Sequence, residues 1–164
     1  LADQLQAASE SGQLLPASHD NIRALLAASD NPLYRASITE LASSGQWAEL
    51  NDRFFQALKF GTGGLRGRTI GKIVTKAERG NAPEDQRPEH PCVGTNAMNF
   101  YNVSRATRGL VTYIKNYRAN AKLTGKPSIV FAHDTRHFSP EFAKFCAKIA
   151  MDHGANVYLK NSNG

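Results

Sequence analysis

Between residues 58 and 70 the chain reads Leu-Lys-Phe-Gly-Thr-Gly-Gly-Leu-Arg-Gly-Arg-Thr-Ile, a stretch whose residue types and spacing suit the holding of a phosphate. Gly61, Gly63, Gly64 and Gly67 lack a Cβ, so the backbone can take positive φ and its N–H groups can come close to an anion. Arg66 adds a planar, permanently charged fork that matches two phosphate oxygens at once. Phe60 and Leu65 are expected to anchor the turn to a core. Two generic phosphate motifs are excluded. A P-loop needs Lys-Ser/Thr after its last glycine, where this chain has Arg68-Thr69, and a dinucleotide fingerprint needs glycine where Arg66 stands. The competing reading of the same residues is a glycine-rich hairpin with a solvated arginine.

A second group of polar residues follows an apolar run. Residues 128–133, Ser-Ile-Val-Phe-Ala-His, read as a strand covered on both faces, and they lead into Asp134-Thr135-Arg136-His137-Phe138-Ser139-Pro140. Ser139 and Pro140 suit the N-cap and first position of a helix. In that helix Phe142, Phe145, Cys146, Ile149, Ala150 and His153 recur at helical spacing, and Gly154 closes it before a strand over 155–159. The whole is a βαβ unit, and ligands of such sheets gather at the carboxyl ends of strands, where residues 134–137 lie. His137 reads as a local hydrogen-bonding group at a helix start.

The elements before these segments read as helical. Helices are expected over 18–29, with Ser18 or Asp20 as the N-cap, from Asn31-Pro32 to about Ser44, and over 46–57, where Trp47, Leu50, Phe54 and Phe55 form a core face. After the turn, 69–74 alternates as a strand does. Residues 76–91, with three prolines and charges of both signs, read as a solvated loop. A long helix over 99–119 carries Val103, Ala106, Leu110, Tyr113, Ile114 and Tyr117 on one face.

Composition bounds the class. At 164 residues, 41% hydrophobic and 21% charged, the chain can bury one core, and neither disorder nor a fibrous protein is indicated. The net charge of +6 suits an anionic partner, but basic residues are spread out and not interleaved with aromatics, so no nucleic-acid partner is expected. No apolar run is long enough to cross a bilayer, no secretory pattern is seen near the start, and a cytoplasmic location is expected, with no membrane partner. Cys92 and Cys146 are read as two free thiols, and no metal-ligand spacing is present.

The two chemistry-bearing segments together resemble the α-D-phosphohexomutases, the phosphoglucomutase and phosphomannomutase family. The run Phe60-Gly-Thr-Gly-Gly-Leu-Arg-Gly67 resembles the signature that opens the family's first domain, and the run from Asp134 through Ala143 resembles the Asp-Ser/Thr-Arg-His-x-Ser-x-x-Phe-Ala segment of a phosphoglucomutase-like branch. The resemblance extends over about residues 53–159, in the family's order. It implies an intramolecular phosphotransferase, an isomerase of carbohydrate metabolism that interconverts hexose 1-phosphate and 6-phosphate through a phosphoserine and a hexose 1,6-bisphosphate, with Mg²⁺ bound nearby. It implies Arg66 as a catalytic and phosphate-binding residue, Thr62, Gly63 and Gly64 as the phosphate-binding turn, and Asp134 and Arg136 as support for the active-site loops.

The departures are as informative. Residues 16–21, Pro-Ala-Ser-His-Asp-Asn, look like the family's serine loop but precede the Gly-rich turn instead of following it. Neither the nucleophile loop, nor an Asp-x-Asp-x-Asp metal cluster, nor the sugar-recognition motifs occur, and Ser162 has the wrong neighbours for a nucleophile. The expectation is an α/β fold, a mixed sheet with covering helices forming an incomplete first domain over 57–164, preceded by a helical extension over 1–56. Such a fragment is expected to be inactive alone, to bind no cofactor or metal itself, and to need the remaining domains of a parent chain as partners, with a phosphorylated hexose as ligand. The alternative is a non-catalytic module that binds an anion or a sugar phosphate.

Overall fold

The computed structural model of the chain describes residues 1–61 and 63–160. By their contacts they form two compact units, the first covering Leu1–Asn99 and the second beginning at Phe100. Residues 57–99 thus pack with the helical residues 1–56 as one unit, so the division by compactness falls after Asn99, not at residue 56.

In the first unit four helices come first: α1 (Ala2–Glu10), α2 (Pro16–Ala28), α3 (Pro32–Ser43) and α4 (Trp47–Phe54). Helix α1 is not anticipated above. Its Leu5 and Ala8 join Leu14, Ile22, Leu25, Ile38, Leu41, Leu50 and Phe54 in a core where each is 3% exposed or less. Each large side chain so buried contributes about 1.5–3 kcal/mol. Phe55, expected in that core, is instead 42% exposed.

Helix starts follow the prolines. Asn31 caps α3 through its side chain, which accepts the Leu33 N–H at 3.0 Å. At α2 the expected serine cap is wrong. Pro16 holds the first helical position and forces Leu15 to stay extended (φ −61°, ψ 140°), which leaves Ser18 inside the helix, fully buried. The Ser18 hydroxyl has no hydrogen-bond partner among the described residues.

After α4 come two short antiparallel strands, β1 (Phe60–Gly61) and β2 (Gly64–Leu65), paired Phe60 to Leu65 and Gly61 to Gly64. The strand expected over 69–74 does not form; that segment bends. The solvated loop expected over 76–91 is also overturned. It contains a one-turn helix, α5 (Lys76–Arg79), begun by a capping box in which Thr75 and Glu78 bond each other's backbone N–H, and both residues are buried.

The second unit is built on α6 (Phe100–Asn120), β3 (Ser128–Phe131), α7 (Ser139–Asp152) and β4 (Asn156–Leu159). Strands β3 and β4 pair in parallel, Ser128 to Asn156 through Phe131 to Leu159, with α7 as the crossover, so the βαβ unit forms as expected. Its core is Val111, Ile129, Ala150 and Ala155, with Ile114, Phe131 and Val157 packed against it. Phe100 meets Phe142 and Phe145 edge-on at 5.0 and 5.2 Å between ring centres. Two expectations fail here. Strand β3 is not covered on both faces, since Val130 is 72% exposed, and Leu110, Tyr113 and Tyr117 of α6 point to solvent while Val103, Thr107 and Val111 are buried. The fold is thus α/β, its strands divided between a small antiparallel and a small parallel sheet.

Candidate phosphate-binding site

The glycine-rich turn is a tight hairpin. Between the paired Gly61 and Gly64 only residues 62 and 63 remain, and Gly63 (φ 80°) and Gly64 (φ 145°) take conformations that other residues rarely adopt. Gly61 and Gly67 do not have positive φ; Gly67 serves close approach, since a Cβ there would lie 3.0 Å from the Met98 backbone nitrogen. Thr62, one of the expected phosphate-binding residues, lies outside the described residues. Arg66 directly follows β2 and is exposed, while Leu65 is half-buried. Phe60 does not anchor the turn: it is 77% exposed.

The hairpin is anchored through its legs. The Leu58 N–H donates to the Thr95 carbonyl (2.7 Å), the Met98 N–H to the Arg68 carbonyl (2.9 Å) and the Cys92 N–H to the Thr69 carbonyl (2.8 Å). Segment 92–98 is therefore a rail on which both legs are fastened, and Asn99 steadies it by donating to the Cys92 and Gly94 carbonyls at 2.8 Å each.

Beneath the rail lies a buried ionic cluster. Arg53, 1% exposed, donates to Glu49 (Nε to Oε1, 2.8 Å), to Glu78 (Nη1 to Oε1, 2.5 Å) and to the carbonyls of Ile73 (2.5 Å) and Val93 (3.3 Å). Burial acts to lower the Arg53 pKa, but neighbouring Cys92 and Glu78 and the bonds to both glutamates outweigh it and hold the pKa above its ordinary value. Arg68 pairs with Asp52 and lies 3.9 Å from Glu49. The Cys92 thiol is pushed up to about 12, mainly by burial, with Arg53 opposing, so it is protonated and inert at neutral pH. Both cysteines are free.

The cluster was not anticipated from sequence. A Glu and an Arg four residues apart on a helix ordinarily read as a solvated pair. The readable signal was Thr75-x-x-Glu78, a capping-box pattern inside an apparently polar loop.

In the second unit, Asp134 and Arg136 come together just past β3. Asp134 accepts from Arg136 Nε (2.7 Å) and from the Arg136 backbone N–H (3.1 Å), and the Asp134 N–H donates to Ser139 Oγ (3.2 Å). Ser139 thus ties the loop together and is not the N-cap; Phe138, at φ 65°, occupies that position. The side-chain bond from Arg136, then its backbone bond and the Ser139 contact, hold the Asp134 pKa at about 2, and the Arg136 pKa is raised by the same bond. His137 is exposed beside them.

Among the described residues no three His, Cys, Asp or Glu side chains converge as metal ligands. The Mg²⁺ implied by the resemblance has no matching donor set there, and no chemical step is routed through it. Among the described residues no helix is long and apolar enough to cross a membrane.

Residues 91–161 match the family described as phosphoglucomutase/phosphomannomutase, alpha/beta/alpha domain I, which takes in the rail and the βαβ unit. Over these residues the chain carries part of the first domain of the phosphohexomutase family. It is 30% identical over 114 residues to a phosphoglucomutase of Staphylococcus aureus (strain bovine RF122 / ET3-1), covering 70% of this chain and 16% of that protein. It is 30% identical over 105 residues to a phosphoglucomutase of Staphylococcus epidermidis, 64% of this chain and 14% of that protein. A phosphoglucomutase of Staphylococcus haemolyticus is 36% identical over 67 residues, 41% of this chain and 11% of the relative. The chain therefore spans about a sixth or less of the length of these relatives. No solved structure matches it.

Proposed function

We propose that this chain supplies the phosphate-binding turn of a phosphohexomutase, a magnesium-dependent, cytoplasmic phosphoprotein that interconverts hexose 1-phosphate and 6-phosphate through a phosphoserine and a hexose 1,6-bisphosphate. The observation that carries the reading is the hairpin: Gly63 and Gly64 at positive φ at its tip, and the exposed residue Arg66 directly after β2. Backbone N–H groups at such a tip and a planar cation offer preorganised charge to a transferring phosphoryl group, and phosphoryl transfer is mostly positioning and charge stabilisation. Arg66 is the proposed catalytic residue, and Asp134 with Arg136 supports its own loop through the ion pair described above. The nucleophile, the metal ligands and the sugar contacts are assigned to the remaining domains of the parent, with a phosphorylated hexose as the ligand, so the chain by itself is inactive. Residues 1–56 are proposed as an extension preceding the first domain.

The test is mutase turnover by the complete source protein with Arg66→Ala. A loss of kcat of about a hundredfold or more with the fold intact is expected; unchanged turnover contradicts the assignment. Phosphate binding at the turn in a complete protein without mutase activity would instead favour a non-catalytic anion-binding module.

A further inference from the structure

The buried arginine of α4 touches more of the first unit's irregular backbone than its place on a short helix requires. One side chain joins four segments: its own helix through Glu49, the bend after the hairpin through the Ile73 carbonyl, α5 through Glu78, and the rail through the Val93 carbonyl. The Arg53 backbone holds the rail a second time, because its carbonyl accepts the Asn96 N–H at 2.9 Å. Adjacent Asp52 gives its carbonyl to Asn96 Nδ2 at 3.1 Å.

Two glycines are fitted to this residue. A Cβ on Gly94 would lie 2.7 Å from the Arg53 carbonyl oxygen, and one on Gly71 would lie 2.2 Å from Arg53 Nη2. In the segment 69–74, which bends where its alternation suggests a strand, the guanidinium occupies the space a side chain at 71 would need. The rail that Arg53 holds is the same rail on which Leu58, Arg68 and Thr69, the legs of the glycine-rich hairpin, are fastened.

We propose that Arg53 is the positioning residue of the phosphate-binding turn: by locking residues 92–98 against α4, it fixes the hairpin that presents Gly63, Gly64 and Arg66. This rests on the anion-binding reading above, but its mechanical half does not. Arg53 itself is buried and acts on the turn through the rail. Its planar fork is needed because two carboxylates and two carbonyls in different directions are satisfied at once, which a lysine cannot do.

The test uses the whole 164-residue chain with inorganic phosphate as the probe. In the unmodified chain, the amides of Leu58, Cys92, Asn96 and Met98 are expected to exchange through one shared opening. Leu58 and Met98 exchanging about a hundredfold faster than Asn96 would show a hairpin that moves independently of Arg53, and would overturn the proposal. Two variants follow. Arg53→Lys keeps a positive charge between the glutamates but loses the fork, and Gly94→Ala pushes the rail off Arg53 with every buried charge in place. Each is expected to unfold cooperatively, to lose protection at Leu58 and Met98, and to bind phosphate at least about tenfold more weakly. Leu5→Ala, a core truncation of the same unit, controls for stability and is expected to leave phosphate affinity unchanged.

Unaltered affinity and unaltered protection in either folded variant overturn the proposal, as does an equal loss of affinity in Leu5→Ala. If the unmodified chain does not bind phosphate, the anion reading fails, and protection of the hairpin amides alone decides whether Arg53 positions the turn. If neither variant folds, the exchange comparison in the unmodified chain decides.

Discussion

Replacing Glu78 by alanine tests the buried cluster where its partners are most numerous. Its carboxylate accepts from Arg53 Nη1 (2.5 Å) and Nη2 (3.4 Å), from Ser37 Oγ (3.0 Å), and from the backbone N–H groups of Thr75 (3.1 Å) and Val93 (2.8 Å). Alanine removes every one of these acceptors at a position 1% exposed, leaving Glu49 as the one carboxylate paired with Arg53 among the described residues. Breaking a buried ion pair from one side costs about 3–5 kcal/mol, because the remaining charge stays desolvated. For a unit of this size that is a fall in melting temperature of very roughly 12–40 °C. Glu78→Gln keeps one side-chain oxygen but not the charge, and is expected to cost less, about 1.5–3 kcal/mol. Urea unfolding followed by fluorescence of Trp47, the chain's single tryptophan, reads the first unit directly. A loss under about 1 kcal/mol for Glu78→Ala, the value of a surface pair, would refute the claim that the cluster is a desolvated hub.

Other consequences are simpler. Ser18 is fully buried with no partner for its hydroxyl among the described residues, so Ser18→Ala is expected to be neutral or to stabilise the chain by up to about 1 kcal/mol in the same urea assay, against the loss expected of a working N-cap. The Asp134 pKa lies below its unfolded value, so its bonds to Arg136 are fully present above about pH 4 and are lost as pH falls through about 2. A carbon-detected titration of the Asp134 carboxyl should find that low midpoint, and a midpoint near 4 would dissolve the pair. Cys92, with its pKa pushed up to about 12 and 2% exposed, is expected to resist iodoacetamide at neutral pH until the first unit is unfolded, which mass spectrometry of the alkylated peptide checks.

Regular structure was legible in the sequence where one period dominated. The spacing of Phe142, Ile149 and Ala150 gave α7, the Asn31-Pro32 pair gave the start of α3, and the apolar run 128–133 gave β3, which ends two residues earlier than read. What failed was decided by long-range polar contacts. Residues 76–91 look solvated because their charges are counted without partners, yet Glu78 is consumed by Arg53 from 25 residues earlier. Over 69–74, where alternation suggests a strand, the segment bends, and Gly71 leaves room for that same guanidinium. On α6, the expected face holds for Val103 and Ile114, but its Leu110, Tyr113 and Tyr117 are exposed, and Thr107 and Val111 are buried instead. The site divides the same way. The positive φ expected of the glycine-rich turn is present at Gly63 and Gly64, while the rail and the arginine beneath it could be found only in three dimensions.

The most direct measurement of the central claim is a titration of the chain with inorganic phosphate, followed by nitrogen-detected NMR of Arg66 Nε and the amides of Gly63 and Gly64. Saturable shifts confined to these groups and absent in Arg66→Ala are the predicted result. Shifts that persist unchanged without the Arg66 guanidinium, or no shifts at millimolar phosphate, would contradict it.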